Sequence, residues 1–389
     1  MKHDTHLRYA VRIIETFSGK IPLHLWLKNF FRDNKQMGSR DRKQVSEMVY
    51  CFFRLGHAAK KNSTEERILA GLFLCNTVPN DILQYLKPSW NEQITLNTEE
   101  KVNIIEPTIS IAEIFPWEDK ISESVDYLPF CRSFLQQPDL FLRIRPGKET
   151  LVREKLQKAE IGFTEISSSC LAFPNATKLD SIIELNKGAV IQDLSSQQIA
   201  EIIRPAINGL RPSLKAWDCC AGSGGKSIML YDMSPTVDLT VSDIRDSILT
   251  NLKKRFKEAG IKKYDFFSKD LSIHQPSLTV DHSPFDIIIA DVPCSGSGTW
   301  SRTPEALYFF DVAEIKKYGS LQRKIISNTV PYLKKGGVFI YITCSVFREE
   351  NEEIVDFIQQ KAHLQLIRSQ LFKGYDQKAD SMFAAAFTA

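Results

Sequence analysis

The sequence lacks long apolar runs, and it lacks the spacings that mark a metal or disulfide protein. No apolar stretch reaches the length of a membrane helix. Met1-Lys2-His3-Asp4 leads into no apolar signal-peptide core. A cytoplasmic protein with no membrane contact is therefore expected. The eight cysteines include no Cys-x-x-Cys pair and no zinc spacing, so no bound metal is expected. Cys219 and Cys220 are adjacent, which suits buried thiols better than a disulfide framework. Internal repeats and low-complexity tracts are absent, and a monomer is expected.

What is present is ordinary in bulk and uneven in distribution. The chain has 389 residues, 43% apolar and 25% charged, which fits a soluble globular protein of two or three domains. Its net charge is +3, but residues 1–61 hold 13 Lys or Arg against 5 Asp or Glu, so +8, and the remainder carries −5. A basic amino-terminal segment suggests an anionic polymer as partner, although a solvated helical face explains the charge equally well. Arg40, Arg42, Lys43 and Arg54 are its candidate phosphate contacts.

Helical spacing dominates residues 1–130: Leu7, Val11 and Ile14 recur on one face, as do Val45, Met48, Val49 and Phe52 behind a cap at Gly38-Ser39. Pro88, Pro107, Pro116 and Pro129 are expected to break the later helices. Residues 131–187 read as a small α+β connector: a strand at Phe141–Arg145, a helix at Thr150–Glu160, and strands at Phe163–Ile166 and Leu171–Phe173. Residues 188–389 alternate strand and helix, which implies an α/β fold with a doubly wound parallel sheet.

The most informative stretch is Phe285–Trp300, FDIIIADVPCSGSGTW. A short apolar run of buried-strand length ends at Asp291, Pro293 stops the ladder, and Cys294 follows in a loop of Ser and Gly. Cys344 stands just beyond the next predicted strand, Val338–Thr343. Both thiols then sit at the carboxyl ends of central strands, where open α/β sheets keep their chemistry. A single cysteine is commonly a small buried hydrophobe. Two in polar loops, with Asp291 and Lys226 nearby in the pattern, point to one crevice. Gly222-Ser223-Gly224-Gly225-Lys226 forms a turn between a strand and a helix, where backbone N–H groups approach a ligand closely. It is neither a Walker loop nor a clean dinucleotide fingerprint. Asp243 ends the following strand, where an acid accepts ribose hydroxyls.

These motifs resemble the RsmB/Sun family of RNA cytosine-5 methyltransferases over nearly the whole chain. The family's Asp-Ala-Cys-Ala-Ala-Pro-Gly-Gly-Lys-Thr stands here as Asp218 through Ser227, with Gly222-Ser223 replacing Ala-Pro. Its Asp-x-Pro-Cys-Ser-Gly-x-Gly is unbroken from Asp291 to Gly298. Its Tyr-x-Thr-Cys-Ser is Tyr341 to Ser345, followed by the acidic Glu349-Glu350-Asn351-Glu352-Glu353. Gln192-Asp193 and Ser196-Gln197 resemble the lead-in to the fold, and Asp380-Ser381-Met382-Phe383 the closing strand, with Ser381 in place of a glycine. Ser39 through Arg54 resembles the NusB-like RNA-binding domain of bacterial members.

The resemblance implies a class I (Rossmann-like) methyltransferase domain preceded by an all-α NusB-like domain and the small connector. It implies S-adenosylmethionine as cofactor, held by Cys220, Ala221, Gly222, Ser223, Gly224, Gly225, Lys226, Asp243, Asp270 and Asp291. It also implies ribosomal RNA, 16S above all, as partner. In the family the Thr-Cys thiol attacks carbon 6 of cytosine, which carries over to Cys344, leaving product release to Cys294. Asp291 or Lys226 serves the base's N3 edge. The residues alone leave open which cysteine attacks. A transfer-RNA enzyme, a DNA cytosine methyltransferase using the Pro-Cys thiol, and a non-catalytic RNA-binding assembly factor are the competing readings.

Overall fold

The computed structural model describes residues 3–105, 109–208, 213–274 and 284–389. It divides into two compact units. The first comprises residues 1–121, 125–137 and 299–312, and the second 122–124, 138–298 and 313–389.

Helices His3–Thr16, Leu23–Asp33, Ser39–Arg54 and Thr64–Cys75 begin the first unit. The periodic apolar positions are the buried ones: Leu7, Ala10, Ile13 and Ile14 on the first helix, Val45, Met48, Val49 and Phe52 on the third. Ser63 and Glu66 close a capping box on the fourth. Pro88 separates Asp81–Leu86 from the helix that follows, and Pro116 stands between the short turns Ile111–Ile114 and Glu118–Lys120, so both break the helical run as expected. Pro88 opens the helix Pro88–Glu92 and Pro129 lies in the first turn of Tyr127–Ser133, positions where a missing N–H costs nothing. Pro107 lies outside the described residues.

Arg54 is also corrected by the structure. It is 4% exposed, and its Nη1 donates to the carbonyls of Phe134, Gln136 and Ser301 at 2.8, 2.8 and 3.1 Å. Its guanidinium satisfies buried backbone and has no face left for a phosphate. Arg40 pairs with Asp81 at 2.6 Å in the open, and Arg42 Nε donates to the carbonyl of Met37 at 2.9 Å.

The segment Thr299–Val312 interrupts the otherwise continuous stretch expected for the methyltransferase domain, because its side chains complete the aromatic core of the first unit. Trp300 and Phe310 are 4.6 Å apart between ring centroids, and Trp117 lies 5.4 Å from Phe310. Phe309 meets Phe17 at 5.6 Å. Glu305 accepts the N–H of Leu23 at 3.1 Å.

The second unit holds two sheets. Strands β1 (Leu140–Ile144), β2 (Thr164–Ser167), β3 (Cys170–Phe173) and β4 (Ala189–Ile191) form an antiparallel sheet in the order β2-β3-β1-β4. This sheet runs past residue 187, where the sequence suggested the connector would end. The larger sheet contains β5 (Lys215–Asp218), β6 (Asp238–Asp243), β7 (Asp265–Ser268), β8 (Phe285–Asp291), β9 (Leu333–Thr343), β10 (Gln365–Phe372) and β11 (Met382–Thr388). Its order is β10-β11-β9-β8-β5-β6-β7. The strands β5 to β9 pair in parallel, and β11 and β10 add an antiparallel edge. The chain runs from β5 outward to β7, then returns to β8 on the other side of β5. That reversal opens a crevice at the carboxyl ends of β5 and β8, the ligand-binding position of such sheets.

Arg143 and Arg145 of the small sheet anchor it to the helix Gly225–Met233. Both guanidinium groups reach Asp232, at 2.6 and 2.7 Å, with all three side chains nearly buried. Removing the carboxylate strands two buried cations, a change that costs roughly 3–5 kcal/mol. Asp232→Ala is therefore expected to lower the unfolding free energy by about that much, measured by urea denaturation; a loss within about 0.5 kcal/mol would show the pair to be dispensable.

Candidate active site

The site forms where five strand ends meet, those of β5, β6, β7, β8 and β9. Asp291 ends β8 and Thr343 ends β9, paired in parallel with Asp291 opposite Ile342. The loops beyond bring Cys294 and Cys344 to a Sγ–Sγ distance of 3.3 Å, both as free thiols. Cys220, Asp243, Asp270, Asp291 and both thiols line one cavity of about 460 Å³. Ile244, Leu271, Val292 and Ile325 supply apolar wall.

The two thiol loops are held by a buried carboxylate. Glu350 is 0% exposed and accepts from the Ser295 N–H at 2.8 Å, Gln322 Nε2 at 3.1 Å and Ser345 Oγ at 2.8 Å. Ser295 follows Cys294 and Ser345 follows Cys344, so one carboxylate fixes both loops. Around it the hydroxyls of Ser295, Ser297 and Ser345 lie 3.2 Å from one another. Asn351 accepts from Thr343 Oγ1 and donates to Ser345 O and to Ser122 Oγ. Gly298 closes the arrangement. Its N–H donates to Cys344 O at 2.9 Å, and a Cβ there would stand 2.1 Å from the carbonyl oxygen of Ser381.

The shared hydrogen bond with Cys344, burial, and the negative charge of Glu350 all raise the Cys294 pKa well above that of an ordinary thiol. Either sulfur can donate in the hydrogen bond they share. Burial raises the Glu350 pKa as well, opposed by its donors.

A polar relay supports the crevice from behind. Arg143 Nε donates to Gln192 Oε1 at 2.8 Å, and Gln192 Nε2 to Ser196 Oγ at 3.0 Å. Lys226 Nζ then donates to Ser196 Oγ at 2.9 Å and to Asp291 Oδ2 at 3.0 Å. The lead-in residues therefore orient Lys226, whose ammonium is committed to Asp291 rather than aimed freely at a ligand. Asp218 is fully buried behind the turn. It accepts from Ser227 Oγ at 2.6 Å, and burial pushes its carboxyl up to about 7.

The glycine turn runs beside the cavity rather than lining it: of Cys220 through Lys226, only Cys220 contributes to its wall. Gly222 at φ +52° and Gly224 at φ +82° take the left-handed conformation. The Gly222 N–H donates to Asp243 Oδ2 at 3.0 Å. The turn lacks the family's proline, but Arg255 Nη1 clamps Ser223 through its carbonyl at 2.9 Å and its hydroxyl at 2.7 Å. Asp243 also accepts from Arg245, through N–H and Nε at 3.0 Å each, which holds its carboxyl below the usual range despite burial. Asp270 Oδ1 accepts from Ser272 N at 2.9 Å and Oγ at 2.7 Å. Ser381 donates its N–H to Gly298 O at 2.8 Å, and its buried hydroxyl has no partner.

Glu350, the three serines, Gln322 and Arg255 carry no separate signal in the sequence. Glu350 sits in a run of five polar residues, and nothing in that run sets it apart. Among the described residues, no group of three or more His, Cys, Asp or Glu is placed to hold a metal, and no helix is long and apolar enough to cross a membrane.

Residues 210–387 match the family model of 16S rRNA methyltransferase RsmB/F. That match spans a little under half of the chain and is what this part of it is similar to. Ribosomal RNA small subunit methyltransferase B of Photorhabdus laumondii is 31% identical over 187 residues, 46% of this chain and 41% of that one. Its counterpart in Xylella fastidiosa (strain Temecula1) is 29% identical over 227 residues, 56% of this chain and 50% of that one. The chain thus spans about half the length of these curated relatives. NSun6 from Pyrococcus horikoshii, solved with SFG, superposes with a TM-score of 0.58 at 15% identity, over 67% of this chain and 93% of that one. At that identity the likeness is one of fold, a Rossmann-like methyltransferase.

Neutralising Glu350 removes one of the charges that raise the Cys294 pKa. Glu350→Gln is expected to speed alkylation of Cys294 by iodoacetamide at pH 8, followed by peptide mass spectrometry. An unchanged rate would remove Glu350 from the electrostatics of the pair.

Proposed function

We propose that the chain is an S-adenosylmethionine-dependent RNA cytosine-C5 methyltransferase acting on 16S ribosomal RNA. The observation that carries this reading is the thiol pair: two free thiols with sulfurs 3.3 Å apart, on the wall of a cavity shared with three strand-end carboxylates. The matched relatives are ribosomal RNA methyltransferases by name, and SFG is an S-adenosylmethionine analogue.

The cavity suits a nucleoside cofactor in size and in donor set. Asp243 and Asp270 would hold its polar groups, with Ile244 and Leu271 against its apolar face. When bound, S-adenosylmethionine supplies an electrophilic methyl group.

Carbon 5 of cytosine is a weak nucleophile. The Cys344 sulfur adds to carbon 6, forming a C–S bond and moving the ring's electron pair toward carbon 5, which becomes enamine-like. Asp291 faces the cavity; with Oδ2 held by Lys226 and a proton on its other oxygen, it donates that proton to N3 and offsets the charge that the attacking thiolate brings. After carbon 5 is substituted, its proton passes to water and the C–H electron pair re-forms the ring double bond as the C–S bond breaks, while N3 returns its proton to Asp291. Cys294, protonated and in contact with the Cys344 sulfur, donates to the departing thiolate. Arg40, Arg42 and Lys43 of the helical unit supply phosphate contacts in this reading.

Attack precedes substitution and expulsion follows it, so the two thiols have distinguishable phenotypes. Cys294→Ala, given cofactor and RNA, is expected to accumulate a denaturant-resistant RNA–protein complex. Cys344→Ala is expected to form none and to methylate nothing. The reverse pattern on denaturing gels would move the nucleophile to the Pro-Cys loop.

A further inference from the structure

A second feature of the methyltransferase unit lies at the far end of its sheet from the thiols. The helix Asp246–Ala259 starts beside the cofactor end, after β6, and runs away from it for roughly 20 Å at 1.5 Å per residue. At its carboxyl end opens a cleft of about 750 Å³, lined by Arg145, Lys148, Lys187, Lys254, Lys257 and Glu258 together with Ala259 and Gly260. Five cations face one carboxylate there, although residues 62–389 are net acidic.

The cations come from three separate chain segments: the turn after β1, the turn before β4, and the last turns of the helix. The helix dipole favours lysine at a carboxyl end and explains Lys254 and Lys257. It does not explain Lys148 and Lys187, which the small sheet contributes. The wall is fixed. Arg145 is tied to Asp232, to Asn186 O at 3.0 Å and to Ala259 O at 2.7 Å. Glu258 is engaged by Asn186 Nδ2 at 2.8 Å, and Lys187 has Glu184 at 3.3 Å. Lys148, Lys254 and Lys257 have no ion pair among the described residues. No large apolar side chain lines the cleft, which disfavours a membrane surface.

We propose that this cleft is a distal RNA-binding groove, in which Lys148, Lys254 and Lys257 contact backbone phosphates of the substrate RNA away from the target cytosine. The proposal rests on the RNA-methyltransferase reading for the identity of the anionic polymer. The groove lies at the carboxyl end of the helix Asp246–Ala259, roughly 20 Å along its axis from the end that follows Asp243, so it acts on long RNA and not on short.

The test is salt-dependent binding, measured by fluorescence anisotropy without cofactor, of the full chain and of the variant Lys148→Gln/Lys254→Gln/Lys257→Gln. With a ribosomal RNA fragment of a hundred or so nucleotides, the variant is expected to bind more weakly, its log–log salt slope smaller by about 2. With a hairpin of about a dozen nucleotides the two proteins are expected to behave alike, and calorimetry with S-adenosylmethionine to give equal affinities. An unchanged slope on long RNA would overturn the proposal, as would a variant that loses binding only to phosphatidylserine vesicles. If the parent protein binds long RNA through these lysines yet methylates no cytosine, the functional reading fails and the groove stands. If it methylates cytosine and the variant's slope is unchanged, the groove alone fails.

Discussion

The site depends on burying one carboxylate. Taking Glu350 out of water costs several kcal/mol unless its oxygens are met by well-placed donors. Three meet it, and two of them come from the residues that follow Cys294 and Cys344. Each such charge-assisted bond contributes about 1.5–3 kcal/mol, so the carboxylate is stable only while both loops keep their positions. The 3.3 Å separation of the sulfurs is thus coupled to the fold rather than left to two independent loops. The same negative charge helps to raise the Cys294 pKa, so the carboxylate that sets the geometry of the pair also acts on its electrostatics.

Around this centre the chain uses polar contacts where a loop-rich active site would otherwise be loose. The relay from Arg143 through Gln192 and Ser196 to Lys226 carries the position of the small sheet to the Asp291 carboxylate. Arg255 performs a similar service for the glycine turn, tying Ser223 through its carbonyl and its hydroxyl. The residues after Gly298 take a different course. Trp300, Phe309 and Phe310 leave the methyltransferase unit and join the aromatic core of the helical one, so the Pro-Cys loop is continuous in sequence with that core.

The strands, their carboxyl ends and the two thiols are legible in the sequence because each rests on a local signal: an apolar run, a proline, a loop of Ser and Gly. The network that holds the thiols is not, because Glu350, Ser345 and Gln322 meet Ser295 only through tertiary folding. Arg54 shows the converse error. As part of a basic segment it suggests phosphate binding, yet the helix Ser39–Arg54 turns it inward onto three carbonyls, and charge patterning does not encode that direction. The segment around Trp300 is hidden for the same reason, since its partners, Trp117 and Phe17, are remote in sequence.

The most direct measurement is nucleoside analysis of product. Purified protein, 16S ribosomal RNA lacking the modification and methyl-labelled S-adenosylmethionine are incubated, the RNA is digested, and the nucleosides are separated by liquid chromatography and mass spectrometry. Label in 5-methylcytidine, absent when Cys344 is replaced by alanine, is the result the thiol-pair geometry predicts. Label in another nucleoside, or 5-methylcytidine formed equally well without Cys344, would contradict it.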